Sequence, residues 1–179
     1  MADRHQLLTE QIPHLRRYAR VLYAGRTADA DDLVQDTLER AVNKWGLWRG
    51  AGSVRPWLFS IMHNLFVDQC ALRHAQAAEA LDDLPDSAQP AQVGTQDLRL
   101  EALELLAALQ RLSAPLREVL LLVAVEGLSY AETAKALGVP TGTVMSRLSR
   151  ARGQLWQHTS AEGTQRPALR VIDGQRSVG

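Results

Sequence analysis

One cysteine, Cys70, leaves the 179-residue chain no internal disulfide and no thiolate cluster for zinc. Cys70 itself reads as a small packing residue. No apolar run reaches the roughly 18–20 residues that cross a bilayer, so no membrane span is expected. The opening Met1-Ala2-Asp3-Arg4-His5-Gln6 lacks the charged-then-apolar design of a secretory signal. No stretch alternates with period two over four or more residues, so no strand is expected. Net charge is missing too, with 20 Lys+Arg against 20 Asp+Glu. These absences point to a soluble intracellular protein of one ordinary domain or two small ones, without direct membrane insertion.

The charge that cancels overall is unevenly placed. Residues 1–76 carry ten bases against eight acids, whereas 77–97 carry five acids and no base. Between Thr133 and Ala161 there is no acid at all, a local basic footprint that the overall neutrality hides.

Periodicity divides the chain into two helical units. After a short helix near residues 4–11, Leu15, Ala19 and Leu22 repeat at helical spacing behind Pro13. Leu33, Val34, Thr37, Leu38, Ala41, Val42 and Trp45 mark a stronger helix, its start loaded with Asp29, Asp31 and Asp32. Gly46, Gly50 and Gly52 break the pattern. Ser53 can then cap a helix through Trp57, Leu58, Ile61, Leu65 and Leu72 to about His74. Pro85, Pro90, Gly94 and the acids give residues 77–97 a linker composition. The second unit opens with Leu98, Leu103, Leu106, Leu109 and Leu112, and an apolar helix follows from Val119 to Val125. The expected architecture is all-α: domains at 1–76 and 98–158, an acidic flexible linker at 77–97, and a polar, disordered tail at 159–179. Each domain holds three to four helices, with few fixed contacts between the two unless a partner clamps them.

Ser129-Tyr-Ala-Glu132 is a capping-box pattern, and the short helix it starts ends at Gly138. A second helix begins near Thr141 and buries Val144, Leu148, Ala151 and Leu155. Two short helices about a tight glycine turn, the second basic, form a helix-turn-helix. Thr143, Met145, Ser146, Arg147, Ser149, Arg150 and Arg152 then lie on the exposed surface, where they reach base edges and phosphates in a major groove. A plain helical hairpin with a solvated basic face has the same periodicity. The acid-free run together with the capping box favours DNA binding.

These residues also match a family. The run from Glu126-Gly-Leu-Ser-Tyr-Ala-Glu to Met-Ser-Arg-Leu-Ser-Arg-Ala-Arg152 resembles the −35-reading domain of bacterial extracytoplasmic-function (ECF) sigma factors. Asp31-Asp-Leu-Val-Gln-Asp-Thr-Leu-Glu-Arg-Ala41 is similar to that family's polymerase-docking helix. Arg55-Pro-Trp-Leu-Phe-Ser-Ile-Met-His-Asn64 with Asp68 is similar to its −10-reading helix. The resemblance spans about residues 5–157 and implies an alternative sigma factor, a non-catalytic subunit directing initiation at stress-response genes. Core RNA polymerase, promoter DNA and an anti-sigma factor are the implied partners. No cofactor or metal is implied, and the compartment is cytoplasmic.

The resemblance assigns polymerase binding to Asp32, Gln35, Asp36, Glu39 and Arg40, a polar stripe suited to a basic partner helix. Leu33, Leu38, Ala41 and Val42 would hold that helix to its own core. It assigns −10 recognition to Trp48, Arg49, Ser53, Arg55, Asn64 and Asp68. Trp48 and Phe59 offer stacking surfaces for unpaired bases, while Trp45 and Trp57 read as core. It assigns −35 recognition to Thr141, Thr143, Met145, Ser146, Arg147, Ser149 and Arg150.

Two departures stand out. Many relatives follow the matched Asp68 with an arginine cluster, yet here Gln69-Cys70-Ala71-Leu72 intervenes before Arg73 and His74. Met145 stands where relatives often place Arg, and it can touch a thymine methyl but cannot pair bidentately with guanine. Two other readings predict different residues. A sigma-like decoy or stand-alone regulator should lack the basic face that Arg147, Arg150 and Arg152 supply. An enzyme should show a catalytic constellation, but His63 and Asp68 are five apart and His158 is isolated.

Overall fold

A computed structural model describes residues 4–48, 52–79 and 96–161, without the side chains of 76–79, 96–101 and 158–161. Local chemistry sets the helix boundaries. Helix α1 is Arg4–Thr9 and α2 is Ile12–Leu22, with Pro13 in its first turn, where a missing N–H costs nothing. Helix α2 ends where Ala24 and Gly25 take positive φ (53° and 83°), and the Gly25 N–H donates to the Arg20 carbonyl. Helix α3, Thr27–Asn43, carries Asp29 in its first turn, and a 3₁₀ turn follows at Trp45–Leu47. Helix α4 runs Arg55–Glu79, with the Ser53 hydroxyl accepting the Arg55 N–H at 3.2 Å.

The second bundle starts with α5, Gln96–Arg111, and α6, Ala114–Leu120. The expected helix through Val125 instead leaves α-geometry as one π turn over Leu121–Val125, closed by the Glu126 N–H on the Leu121 carbonyl. Helices α7, Tyr130–Leu137, and α8, Thr141–Ala161, complete the order. No strand occurs among the described residues. Helix outruns the expected linker at both ends, through Glu79 and again from Gln96, and residues 80–95 lie outside the described residues. The expected tail likewise begins inside α8, and 162–179 lie outside them.

The first bundle is cored by aromatic side chains. Tyr18 meets Phe59 edge-on at 5.1 Å, and Tyr23 meets Phe66 at 5.5 Å. Phe59 is wholly buried and offers no face to a base, which corrects its expected stacking role. Val42 and Leu72 are exposed at 38% and 60%, so neither anchors its helix as expected. The second bundle packs aliphatic residues instead, with Leu112, Val119, Leu122, Val144, Leu148 and Ala151 all essentially inaccessible.

The expectation of few fixed contacts between the bundles fails. Helix α4 packs along α7, and α2 packs on α5 and α6. The reason lies in the widths of the apolar faces. Helix α4 buries adjacent pairs, Leu58 with Phe59, Ile61 with Met62 and Leu65 with Phe66, a face broad enough for both α3 and α7. The Val119–Leu122 stretch is apolar at four consecutive positions, all of them buried, and is likewise covered on more than one side. Backbone carbonyls of the first bundle are used as well. Gln110 donates to the Val21 carbonyl at 2.6 Å, and half-buried Arg117 donates to the Leu22 carbonyl at 3.5 Å.

Candidate nucleic-acid interface

The capping box forms as its sequence pattern requires. The Ser129 hydroxyl accepts the Glu132 N–H at 3.2 Å, and the Glu132 carboxylate accepts the Ser129 N–H at 2.8 Å. Gly138 ends α7 in the left-handed region (φ 64°), which turns the chain into α8 at Thr141. Val144, Leu148, Ala151 and Leu155 fix the buried side of α8. Thr141, Met145, Ser146, Ser149, Arg150 and Arg152 are exposed, while Thr143 and Arg147 are half-buried at the edge of the same face. Ser146 donates to the Thr143 carbonyl at 3.1 Å, and Arg150 reaches back to the Ser146 carbonyl at 3.4 Å. Among the described residues no carboxylate pairs with Arg147, Arg150 or Arg152, so their charge faces outward uncompensated.

On α3, the five stripe residues Asp32, Gln35, Asp36, Glu39 and Arg40 are all exposed. Gln35 donates to Glu39 at 3.0 Å, one turn on. Asp36 accepts from Gln69 of α4 at 3.4 Å, and Gln69 in turn accepts from the Tyr23 hydroxyl. Gln69 thus ties the stripe to the core. Sequence reasoning treated it only as a gap before Arg73, and its polar side chain beside an aromatic-rich core was the available signal.

The residues assigned to the −10 element divide. Asn64 and Asp68 are exposed one turn apart on α4, and Ser53 is exposed just before it. Arg49 lies outside the described residues. Trp48 is half-buried and tilted against Trp45 at 4.9 Å, with Trp57 edge-on to Trp45 at 6.0 Å. Arg55 is turned inward. Its Nε donates to Gln11 at 2.8 Å, one Nη donates to the Glu126 carbonyl at 3.2 Å, and the other reaches His14 Nε2 at 3.0 Å. Arg73, named as the first base after the gap, lies over the Tyr23 ring at 5.0 Å and 3.6 Å from Asp29.

Ionisation follows burial. Desolvation pushes the Tyr18 hydroxyl well above the usual tyrosine range, helped by the charges of Glu118 and Glu126. Desolvation also raises the Cys70 thiol, with Arg73 opposing, so this cysteine is a poor thiolate. Among the described residues no cluster of His, Cys, Asp and Glu could hold a metal, and no helix is long and apolar enough to cross a membrane.

A capped short helix, a left-handed glycine turn and an outward-facing cationic helix define a helix-turn-helix protein of the DNA-reading class. Comparison with known proteins narrows this. The model described as the Sigma2 domain of PhyR matches residues 8–63, and that described as Sigma-70, region 4, matches residues 102–155. The ECF RNA polymerase sigma factor EcfG of Rhodopseudomonas palustris (strain TIE-1) is 34% identical over 94% of this chain and 85% of its own length. The ECF RNA polymerase sigma factor SigM of Mycobacterium tuberculosis (strain ATCC 25618 / H37Rv) is 36% identical over 84% of this chain and 74% of its own. The sigma factor RpoE of Bartonella quintana, solved in complex with the anti-sigma factor NepR, superposes with a TM-score of 0.74 at 34% identity, covering 90% of this chain and 99% of that one. The chain belongs to the extracytoplasmic-function family of RNA polymerase sigma factors and directs transcription initiation as an alternative sigma factor.

Proposed function

We propose that the labour of initiation is divided between the two bundles, within domains at 1–76 and 98–158 joined by an acidic linker at 77–97. The exposed stripe Asp32, Gln35, Asp36, Glu39 and Arg40 docks on a basic helical surface of core RNA polymerase. Helix α8 enters the major groove at the −35 element with Thr141, Thr143, Met145, Ser146, Arg147, Ser149 and Arg150. Met145 favours a thymine methyl there rather than guanine. Ser53, Arg55, Asn64 and Asp68, with Trp48 and Arg49 of the preceding loop, handle the −10 element. The unpaired cationic face of α8 is the observation that carries this reading, because phosphate contact needs arginines that no protein carboxylate already neutralises. The chain does no chemistry of its own, works in the cytoplasm on stress-response genes, and is held in check by an anti-sigma factor, as the Bartonella relative is bound by NepR.

Run-off transcription with bacterial core polymerase, this chain and the DNA upstream of its own gene tests the reading. A discrete transcript that needs the added chain is the expected result. Neither transcript nor capture of core polymerase would move the chain to a decoy or a stand-alone regulator.

A further inference from the structure

The junction between the bundles is built around two carboxylates that the promoter-reading role leaves unused. Glu118 of α6 and Glu126 at the end of the π turn are 4% and 3% exposed, and both face the first bundle. The π turn is what aims Glu126, since its N–H closes on Leu121 five residues back. Arg17 grips Glu126 with two N–H donors, each at 2.9 Å. His14 completes the cluster. His14 Nε2 stands 3.0 Å from an Arg55 Nη, and its Nδ1 stands 2.8 Å from Glu126 and 3.0 Å from an Arg17 Nη. Glu118 stands 3.0 Å from His63 of α4.

This junction is polar and incompletely satisfied, unlike a permanent core. The Tyr18 hydroxyl and His63 Nδ1 are buried without a hydrogen-bond partner, the His63–Glu118 approach being close but not aligned as one. Each is rehydrated if the bundles part, which lowers the penalty for opening. Arg17 and Arg55 already reach solvent in part and regain hydration readily.

Geometry requires that parting. A single folded body of about 150 residues has a radius of gyration of about 15 Å and is about 40 Å across. Elements named −35 and −10 are about 25 base pairs apart, or about 85 Å along a duplex at about 3.4 Å per pair. The closed body cannot touch both. It also turns Arg55, assigned to the −10 element, onto the helix-turn-helix bundle through the Glu126 carbonyl.

We infer that Glu118 and Glu126 form a releasable latch that closes the free chain and withholds Arg55 from promoter DNA until the bundles separate. The inference rests on the promoter-reading assignment of Arg55, but closure itself is measurable without a promoter. Small-angle scattering of the full chain should give a compact particle, and E118Q/E126Q should raise the radius of gyration by at least about 1.3-fold. Gln keeps the shape of Glu while removing its charge. R17Q, changed on a partly exposed side of α2, is the second route should the buried pair disturb folding, which retained helical circular dichroism checks. An extended wild-type chain, or variants as compact as wild type, would overturn the latch. In run-off transcription at limiting chain, opened variants should give at least about twice the wild-type transcript. Opened variants without that gain would overturn the withholding of Arg55. If no form of the chain gives a transcript while scattering responds to the variants, the promoter assignment has failed and the closure stands.

Discussion

The two bundles are both helical, yet they are held together differently and present different charge to solvent. Seven of the nine aromatic residues lie in the first bundle, and all seven are buried or half-buried there, whereas the second is cored by leucine, valine and alanine. The first presents a mixed, mostly acidic stripe on α3; the second presents a cationic face on α8 with no acid in its sequence between Thr133 and Ala161. Core composition therefore says little about role, since either set of side chains excludes water. The charge left outside tells the two apart. An acidic stripe suits a basic protein helix and repels phosphate, while an acid-free face attracts phosphate.

Substitution in the aromatic core should cost the most. Phe59→Ala removes a ring that is wholly buried against Tyr18, and chemical denaturation should show a loss of about 3–5 kcal/mol. A loss under about 1 kcal/mol would mean that the first bundle does not depend on its rings. Next come the outward charges. Arg147→Ala with Arg150→Ala should lower transcript by about tenfold or more, at about 1–3 kcal/mol per lost contact, while capture of core polymerase is kept. Transcription that survived both changes would remove α8 from recognition. Asp36→Arg with Glu39→Arg should do the reverse, weakening capture of core polymerase about tenfold in a pull-down, and unchanged capture would dismiss the docking stripe. Smallest is the cap. Ser129→Ala removes the hydroxyl that accepts the Glu132 N–H, for about 1 kcal/mol and a fall in Tm of about 2–4 °C. No shift would place the start of α7 under tertiary rather than local control.

Local signals were legible because local physics makes them. The Ser129–Glu132 reciprocity, the Gly138 turn and the buried row Val144, Leu148, Ala151 and Leu155 each depend on residues within a turn or two. The exposed stripe of α3 followed in the same way. The bundle junction did not. Its bonds join residues such as Arg17 and Glu126, 109 positions apart, and no spacing rule reaches that far. Glu126 was read only as the first residue of the family motif. Nothing local says that a carboxylate after an apolar run will be buried against arginine and histidine. The inward turn of Arg55 is equally non-local, its donors being taken up by Gln11, His14 and the Glu126 carbonyl. Trp48, a stacking surface by its place between glycines, packs on Trp45. The paired apolar residues along α4 were the one readable hint of a second bundle on its far side.

In the proposed division, one bundle docks on the polymerase while the other reads the upstream element. Footprinting of the reconstituted holoenzyme on a responsive promoter tests it most directly, comparing the wild-type chain with Arg147→Ala/Arg150→Ala. The expected result is protection at both elements with the wild type, and loss of the −35 protection alone with the double variant. Unchanged −35 protection, or loss at both elements together with loss of core polymerase, would contradict the division.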